Sequence, residues 1–375
     1  MTATDDLPLV DHHCHGVLAD ALGPDVFRAL STESAGEGDP AVDVLDSPYG
    51  LALGRRCAPL LGLEPHPTPE AYLERRGALG AAEVNRRMMS AAGLSALLID
   101  TGHLAYPLLT PEEMEDAFAV PSHEIVRLER LAEDLAEVTD AGDFMRAFDD
   151  ALTAAARSAV GFKSVIAYRY GLDIAGEPPA ASAVAEAVEE WYRESERRGT
   201  RRVSSPVLLN HLLWASVRHG LPIQLHVGFG DSDIQLFRAD PSRATRFLAA
   251  TADSGARIML LHCYPFEREA ALLAHVFPHV YCDVGEVSHH LGPSAGIALR
   301  RMMEAAPFGK VMFSSDAHGL AEHYAMSALG WREAMGALLD DWIASGWATP
   351  ALADRIARAV AHDNAERVYG LRDGR

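Results

Sequence analysis

Six side chains spread along this chain are of the kinds that hold metal ions and move protons: His13, His15, Lys163, His226, His262 and Asp316. Neutral imidazole is the commonest side-chain metal ligand, and a carboxylate can both coordinate and act as a base. The first pair lies in Leu7-Pro8-Leu9-Val10-Asp11-His12-His13-Cys14-His15-Gly16, an apolar run that climbs to three histidines and breaks at glycine. Side chains alternate along a strand, so Leu9, Asp11, His13 and His15 are expected on one face and Val10, His12 and Cys14 on the other. Two imidazoles two residues apart at a strand end can grip one ion together. Alternation drops His12 from that pair. Taken alone, the stretch also reads as a His-rich turn, so the elements that carry the other candidates decide between the two.

Each of the other candidates lies on or at the end of an apolar run. Strands are expected at Leu94–Asp100, His123–Leu128, Val160–Tyr168, Pro222–His226, Arg257–His262, Val280–Asp283 and Lys310–Ser315, which with the first makes eight. Helical periodicity separates most of them, as at Asp143–Ala159, Ala181–Arg198, Val203–His219, Pro241–Ser254, Pro293–Ala305, Tyr324–Ser345 and Pro350–Tyr369. Alternating strands and helices of this type suit a parallel sheet covered on both sides. The fold class is therefore α/β, a (β/α)8 TIM barrel formed as a single domain over residues 1–375. A doubly wound open sheet is the alternative, and no strand here is followed by its Gly-rich phosphate fingerprint. Residues 17–93 are too long for an ordinary strand-to-helix loop. They carry helical runs at Pro24–Leu30, Ala52–Leu63 and Thr68–Met89, the last opened by a Thr-Pro-Glu cap. This stretch is read as a helical insertion forming a lid or pocket wall.

A barrel of this kind collects its active site at the C-terminal ends of its strands. His13 and His15, Lys163, His226, His262 and Asp316 then converge on one mouth. A single buried histidine is usually a satisfied core residue; four at strand ends with an aspartate are better explained as a metal site. The His-rich ligand set favours zinc, with manganese or iron as alternatives.

Composition narrows the partners. The formal net charge of −20 argues against nucleic acid and anionic membranes, both of which need basic patches. No window approaches the ~20 apolar residues of a membrane span. The acidic start lacks the features of a signal peptide, and a cytoplasmic location is expected. Cys14, Cys57, Cys263 and Cys282 form no paired motif and are expected to be reduced. Cys14 and Cys263, each beside a candidate ligand, read as small buried fillers. A small-molecule substrate and a possible homo-oligomer complete the expectation.

The same residues carry a resemblance. The His-x-His of the first strand, the single histidines ending the fifth and sixth and the aspartate ending the eighth resemble the metal-site pattern of the amidohydrolase superfamily. Phe162-Lys163-Ser164, Ala167 to Asp173, His226 to Asp233, Leu261-His262-Cys263-Tyr264-Pro265, Phe313-Ser314-Ser315-Asp316 and Asn364 to Gly370 are similar to a narrower subgroup. That subgroup also supplies the N-terminal half of amidohydrolase–glutamine-synthetase-like fusion proteins. The resemblance implies that His13, His15 and Asp316 bind a first metal. His226 joins it in mononuclear relatives, where His262 orients water or substrate. In binuclear relatives His226 and His262 bind a second ion, bridged by a carboxylated lysine for which Lys163 is the candidate. A lysine paired with a nearby carboxylate is the other reading of Lys163, since a lysine in an apolar strand is rarely left charged and unpaired.

The implied reaction is hydrolysis of a C–N bond, an amide and plausibly a γ-glutamyl amide. Water is activated by one or two divalent ions, Asp316 acts as general acid and base, and His262 stabilises the oxyanion when it is not a ligand. Tyr168 and Arg169 are candidates to hold substrate, Arg169 through a carboxylate, with a salt bridge as the equal alternative. Asp231 and Asp233 could bind a substrate amine, though turning their Gly-rich loop is the simpler role. Arg127, Glu129, His103, Glu286 and His318 are weaker candidates for the mouth. Two other functions stay open: a metal-dependent non-oxidative decarboxylase, favoured by one ion without a modified lysine, and a non-catalytic binding or regulatory barrel.

Overall fold

A computed structural model describes residues 4–34, 42–103 and 105–371. Seven parallel strands pair strictly in chain order: β1 Leu9–Cys14, β2 Leu94–Asp100, β3 Ser122–Arg127, β4 Gly161–Ser164, β5 Pro222–His226, β6 Arg257–Leu261 and β7 Val280–Cys282. The expected α/β class with a parallel sheet is found. An eighth extended segment joins the two edges of this curled sheet. Met312 N donates to Cys282 O (3.2 Å), and His12 N donates to Phe313 O (3.3 Å).

That segment was expected as a regular strand at Lys310–Ser315, and two features stop it from being one. Asp316 has φ of 49°, a left-handed conformation that ends extension. Ser315 N donates to the Asp11 carboxylate (2.9 Å), so this donor is turned to a side chain instead of a neighbouring strand. Asp316 N then returns to His13 O (3.0 Å), which locks the end of the segment to the end of β1.

Apolar residues divide into two layers. Leu9, Leu97, Ile99, Phe162, Ile223, Leu225, Ile258 and Leu260 pack with the surrounding helices. Val10, Leu98, Ile125, Met259, Leu261 and Tyr281 form a separate cluster with Val368 and Tyr369 of the final helix. The alternation of the strands generates this division. Register decides which polar residues meet: Arg127 pairs with Lys163 across β3 and β4, and Lys163 pairs with Gln224 across β4 and β5.

Several element boundaries differ from expectation for local reasons. The strand expected over Val160–Tyr168 stops at Ser164, and a single helical turn, Ile166–Arg169, follows. The Glu129 carboxylate draws the chain round by accepting from Ser164 Oγ (2.6 Å) and Val165 N (3.1 Å). The helix expected over Thr68–Met89 is two helices, Pro69–Leu79 and Ala81–Ala92, parted by Gly80 at φ of 78°. Its expected Thr68 cap is present, with Thr68 Oγ1 accepting from Ala71 N (3.3 Å). A helix at Pro111–Phe118 was missed, although Thr110 and Glu113 form a full capping box legible as Thr-Pro-Glu-Glu. All four cysteines are free and buried. No helix among the described residues is long and apolar enough to cross a membrane.

The helices between β1 and β2 are fastened to the long helix Ala321–Ala344. Glu322, fully buried, accepts from Arg76 Nε (2.7 Å) and from Tyr72 Oη (3.4 Å). Arg332 of the same helix donates to Ala92 O (2.9 Å) and Gly93 O (3.2 Å), just before β2, and to Leu7 O (2.9 Å), just before β1. Removing one partner of a buried ion pair strands the other charge at a cost of about 3–5 kcal/mol. Glu322→Ala is therefore expected to lower the urea midpoint by a corresponding amount with an unchanged denaturant slope; a loss below about 1 kcal/mol would show that Arg76 finds other solvation.

Candidate metal centre

The centre is built where β1, β6 and the eighth segment end. Asp316 Oδ1 lies 3.0 Å from His13 Nε2 and 3.3 Å from His15 Nε2, and Asp316 Oδ2 lies 3.3 Å from His262 Nε2. The two histidine rings of β1 meet edge-on with centroids 5.3 Å apart. His13, His262 and Asp316 form one group able to hold an ion, and His13, His15 and Asp100 form another. Besides Asp316, His262 also has a left-handed backbone, at φ of 59°. Non-glycine residues in that region are uncommon and are often found at functional sites.

The strict alternation expected for β1 fails. The ladder register shifts between Asp11 and Cys14. As a result His12 and His13 both reach the same polar network. His13 Nδ1 is 2.8 Å from Gln224 Oε1. Gln224 Nε2 donates to His12 O (2.7 Å) and to Tyr369 Oη (2.8 Å), and His12 Nδ1 lies 3.1 Å from the same hydroxyl. His12 Nε2 lies 3.0 Å from Asp283 Oδ2, while Asp283 Oδ1 accepts from His262 N (3.0 Å) and Gly285 N (2.7 Å). His12 therefore belongs to the support of the centre.

This support orients the imidazoles. A carbonyl oxygen can only accept, so Gln224 Oε1 makes Nδ1 of His13 the protonated nitrogen, and Asp100 O does the same for His15 (2.8 Å). Their Nε2 atoms are then acceptors, and both face the acceptor Asp316 Oδ1. That oxygen and both ring nitrogens of His262 are buried without a hydrogen-bond partner. Burial pushes His13 down to about 4, helped by the Lys163 charge, and pushes His262 down to about 3, so both are neutral at pH 7. Burial would raise the Asp316 carboxyl, and the protonated forms of His262 and His13 would hold it well below the usual range; with both imidazoles neutral, a cation has to take that place. Neutral nitrogen acceptors converging on an ionised carboxylate are what a cation needs, so the residues fit a divalent metal.

Lys163 is buried, and its Nζ lies 3.2 Å from His13 Nε2. Burial lowers its pKa, which favours the free amine. Asp100 is committed to Arg127 through Nε (3.0 Å) and Nη2 (2.6 Å). His226 lines the same cavity, with its ring 5.0 Å from His262 and 4.4 Å from Tyr168. Its Nε2 donates to Phe229 O (2.7 Å), so it stands beside the compact cluster.

The cavity holds about 180 Å³, a volume that suits a small molecule. Tyr168, Arg169, Asp231 and Asp233 all line it. Arg169 Nη1 donates to Glu133 (2.7 Å) and Val203 O (3.1 Å), which is the salt-bridge alternative. Asp231 accepts from Asp233 N (2.8 Å), the loop-turning role, and Asp233 pairs with Arg202 (2.9 Å). His103, Arg127, Glu286 and His318 line the cavity too, whereas Glu129 serves the turn after β4. Sequence reasoning missed Gln224, Asp283, Glu33 and Arg202. Gln224 had a signal: it is a polar residue two before His226 within an apolar strand. Asp283, which follows β7 directly, had one as well.

The amidohydrolase family profile matches residues 128–371, which is more than half of the chain. The chain belongs to the amidohydrolase family. Protein fluG of Emericella nidulans is 27% identical over 414 aligned residues, which cover 98% of this chain and 46% of that protein. The chain thus spans about half the length of that curated relative. A protein from Lactobacillus casei ATCC 334, classed as a metal-dependent hydrolase, superposes with a TM-score of 0.85 at 28% identity, covering 99% of this chain and 98% of that one. Uronate isomerase from Thermotoga maritima shares the fold alone, with a TM-score of 0.65 at 12% identity over 97% of this chain and 95% of that one. The family resemblance of the sequence motifs is borne out, and with it the reading as a metal-dependent hydrolase with a divalent ion.

Removing a ligand should empty the centre, whereas loosening a ligand should only weaken it. His13→Ala and Asp316→Asn are expected to purify with little bound metal by elemental analysis. Gln224→Ala should retain the site with metal affinity lowered roughly 10- to 100-fold, the usual cost of losing an orienting partner. Full metal content in His13→Ala would place the ion elsewhere.

Proposed function

We propose that this amidohydrolase-family chain hydrolyses an amide C–N bond of a small molecule, with Asp316 as general acid and base. The observation that carries this reading is the half-buried Asp316 carboxylate set 3.0–3.3 Å from three imidazole nitrogens. His13, His15 and Asp316 would hold the ion, with His226 completing the set if its Nε2 exchanges Phe229 O for it. Zinc is the metal such a His-rich set favours, ahead of manganese or iron. When bound, a divalent ion polarises the carbonyl and makes water a usable nucleophile at neutral pH.

Asp316 takes the proton of the attacking water and returns it to the leaving nitrogen. With one ion bound, His262 is neutral and can offer one N–H to the developing oxyanion; with two, His226 and His262 would hold the second. Gln224 and the Asp100 carbonyl keep the β1 imidazoles in one tautomer throughout. We read the sheet and its joining segment as a closed (β/α)8 barrel, with residues 17–93 as a helical insertion over its mouth. Glu33, which lines the cavity from this stretch, supports a wall or lid role. A γ-glutamyl amide is the substrate we favour, from the resemblance to fusions with a glutamine-synthetase-like half.

Lys163 decides between one ion and two. Burial lowers its pKa and so favours the free amine, the form that takes up CO2, and its neighbour His13 is a candidate ligand. With carbon-13 bicarbonate, a carbamate resonance is expected in the metal-loaded protein and should vanish in Lys163→Ala. The decarboxylase reading draws on a specific observation too: the ion-holding groups nearest Asp316 share His13, which fits one ion. A protein with one equivalent of metal and no carbamate signal would favour that reading.

A screen of γ-glutamyl amides for released amine tests the reaction. Asp316→Asn should lower turnover at least about 100-fold, the scale of a lost general acid–base group. Uniform inactivity of the metal-loaded protein across amides would overturn the hydrolase assignment of the substrate bond.

A further inference from the structure

The cavity contains a second group of polar side chains that the metal chemistry does not use. Glu33, Glu286 and His290 each offer a ligand atom, all within 4.8 Å of one another. Glu33 follows the helix Pro24–Leu30, and Glu286 and His290 bracket the short helical turn after β7. His290 Nε2 lies 3.6 Å from Glu33 Oε1, beyond hydrogen-bond reach. Glu286 is 4% exposed, and its Oε2 is buried without a hydrogen-bond partner, as is Nε2 of His290.

Charge accounting around the cavity singles this group out. Its three arginines each have a carboxylate already: Arg127 has Asp100, Arg169 has Glu133 and Arg202 has Asp233. Glu33 and Glu286 have no such cation. Burial, then the nearby charges of Glu33 and Asp316, push the Glu286 carboxyl well above its usual range. Two carboxylates at this separation resist joint ionisation unless a cation joins them. The neighbouring surfaces are aromatic: the rings of Phe229 and Tyr49 lie 5.5 and 5.7 Å from that of His290. Such flanks suit the carbon next to an organic ammonium.

We infer that Glu33 and Glu286, with His290, form a subsite for the primary ammonium group of the substrate, on the wall of the metal cavity. The inference rests on the reading of that cavity as the substrate site, and it assigns the amine to Glu286 and Glu33 in place of Asp231 and Asp233. An ammonium there donates to both carboxylates, and to His290 Nε2 when the imidazole carries its proton on Nδ1, three partners for three N–H groups. The substrate class is then an amine-bearing amide, of which a γ-glutamyl amide is one.

The test compares L-glutamate with glutarate, which lacks only the amine, by titration calorimetry on the zinc-loaded protein. Glutamate is expected to bind at least about tenfold tighter, the scale of a charged hydrogen bond. Glu286→Gln should bring the two affinities together while leaving that of glutarate unchanged, and Glu33→Gln, on the outer loop, should narrow the gap. Equal affinities in the unmodified protein, no glutamate binding, or a gap that survives both variants would overturn the subsite. So would a second equivalent of zinc that disappears in Glu286→Gln, which would make the group a metal site. The two readings fail separately. A glutamate preference that depends on Glu286, without cleavage of any γ-glutamyl amide, sinks only the reaction. Equal cleavage of γ-glutamyl and glutaryl amides sinks only the subsite.

Discussion

A carboxylate largely withdrawn from water needs compensating charge, and the His13 and His262 imidazoles around Asp316 on the protein side are neutral. Three ring nitrogens lie within 3.3 Å of its oxygens, and two of them are fixed as acceptors by Gln224 and the Asp100 carbonyl. Acceptor against acceptor in a buried site is costly unless a cation intervenes. Much of the surrounding architecture serves to hold this arrangement. Asp11 secures Ser315, His13 O secures Asp316 N, and Asp283 secures the backbone of His262.

That support reaches far from the centre. Tyr369, on the last described helix, links Gln224 to His12, so the bottom of the sheet and the end that carries the candidate centre share one hydrogen-bond chain. The left-handed backbone at His262 and Asp316 is the local strain the chain bears to aim both side chains at one point. Arg332 and Glu322 anchor the long helix Ala321–Ala344 to the starts of β1 and β2 and to the helices between them.

The cavity is strongly polar, but its charges are mostly spoken for. Arg169, which sequence reasoning offered to a substrate carboxylate, is engaged by Glu133, and Asp233 is engaged by Arg202. Pairing of this sort cannot be seen in a linear chain, because Glu133 and Arg169 come from different elements and meet only through the packing of the helix after β3 on the turn after β4. The groups left with unused capacity, Glu286 and His290, were respectively a weak candidate and no candidate at all.

By itself the sequence determined the alternation of strand and helix, the strand-end placement of His13, His15, His226, His262 and Asp316, and membership of the amidohydrolases. Those features are local, carried by apolar periodicity and short motifs, so a linear reading recovers them. Tertiary structure alone decided which polar atoms face one another. The register shift in β1 brought His12 into the support of the centre against simple alternation. The Glu129 carboxylate cut β4 short and turned Tyr168 and Arg169 onto a helical turn. Asp11 and the backbone of Asp316 kept the eighth segment from becoming a regular strand. Each of these depends on a hydrogen bond between residues distant in the chain, and only packing brings such partners within reach.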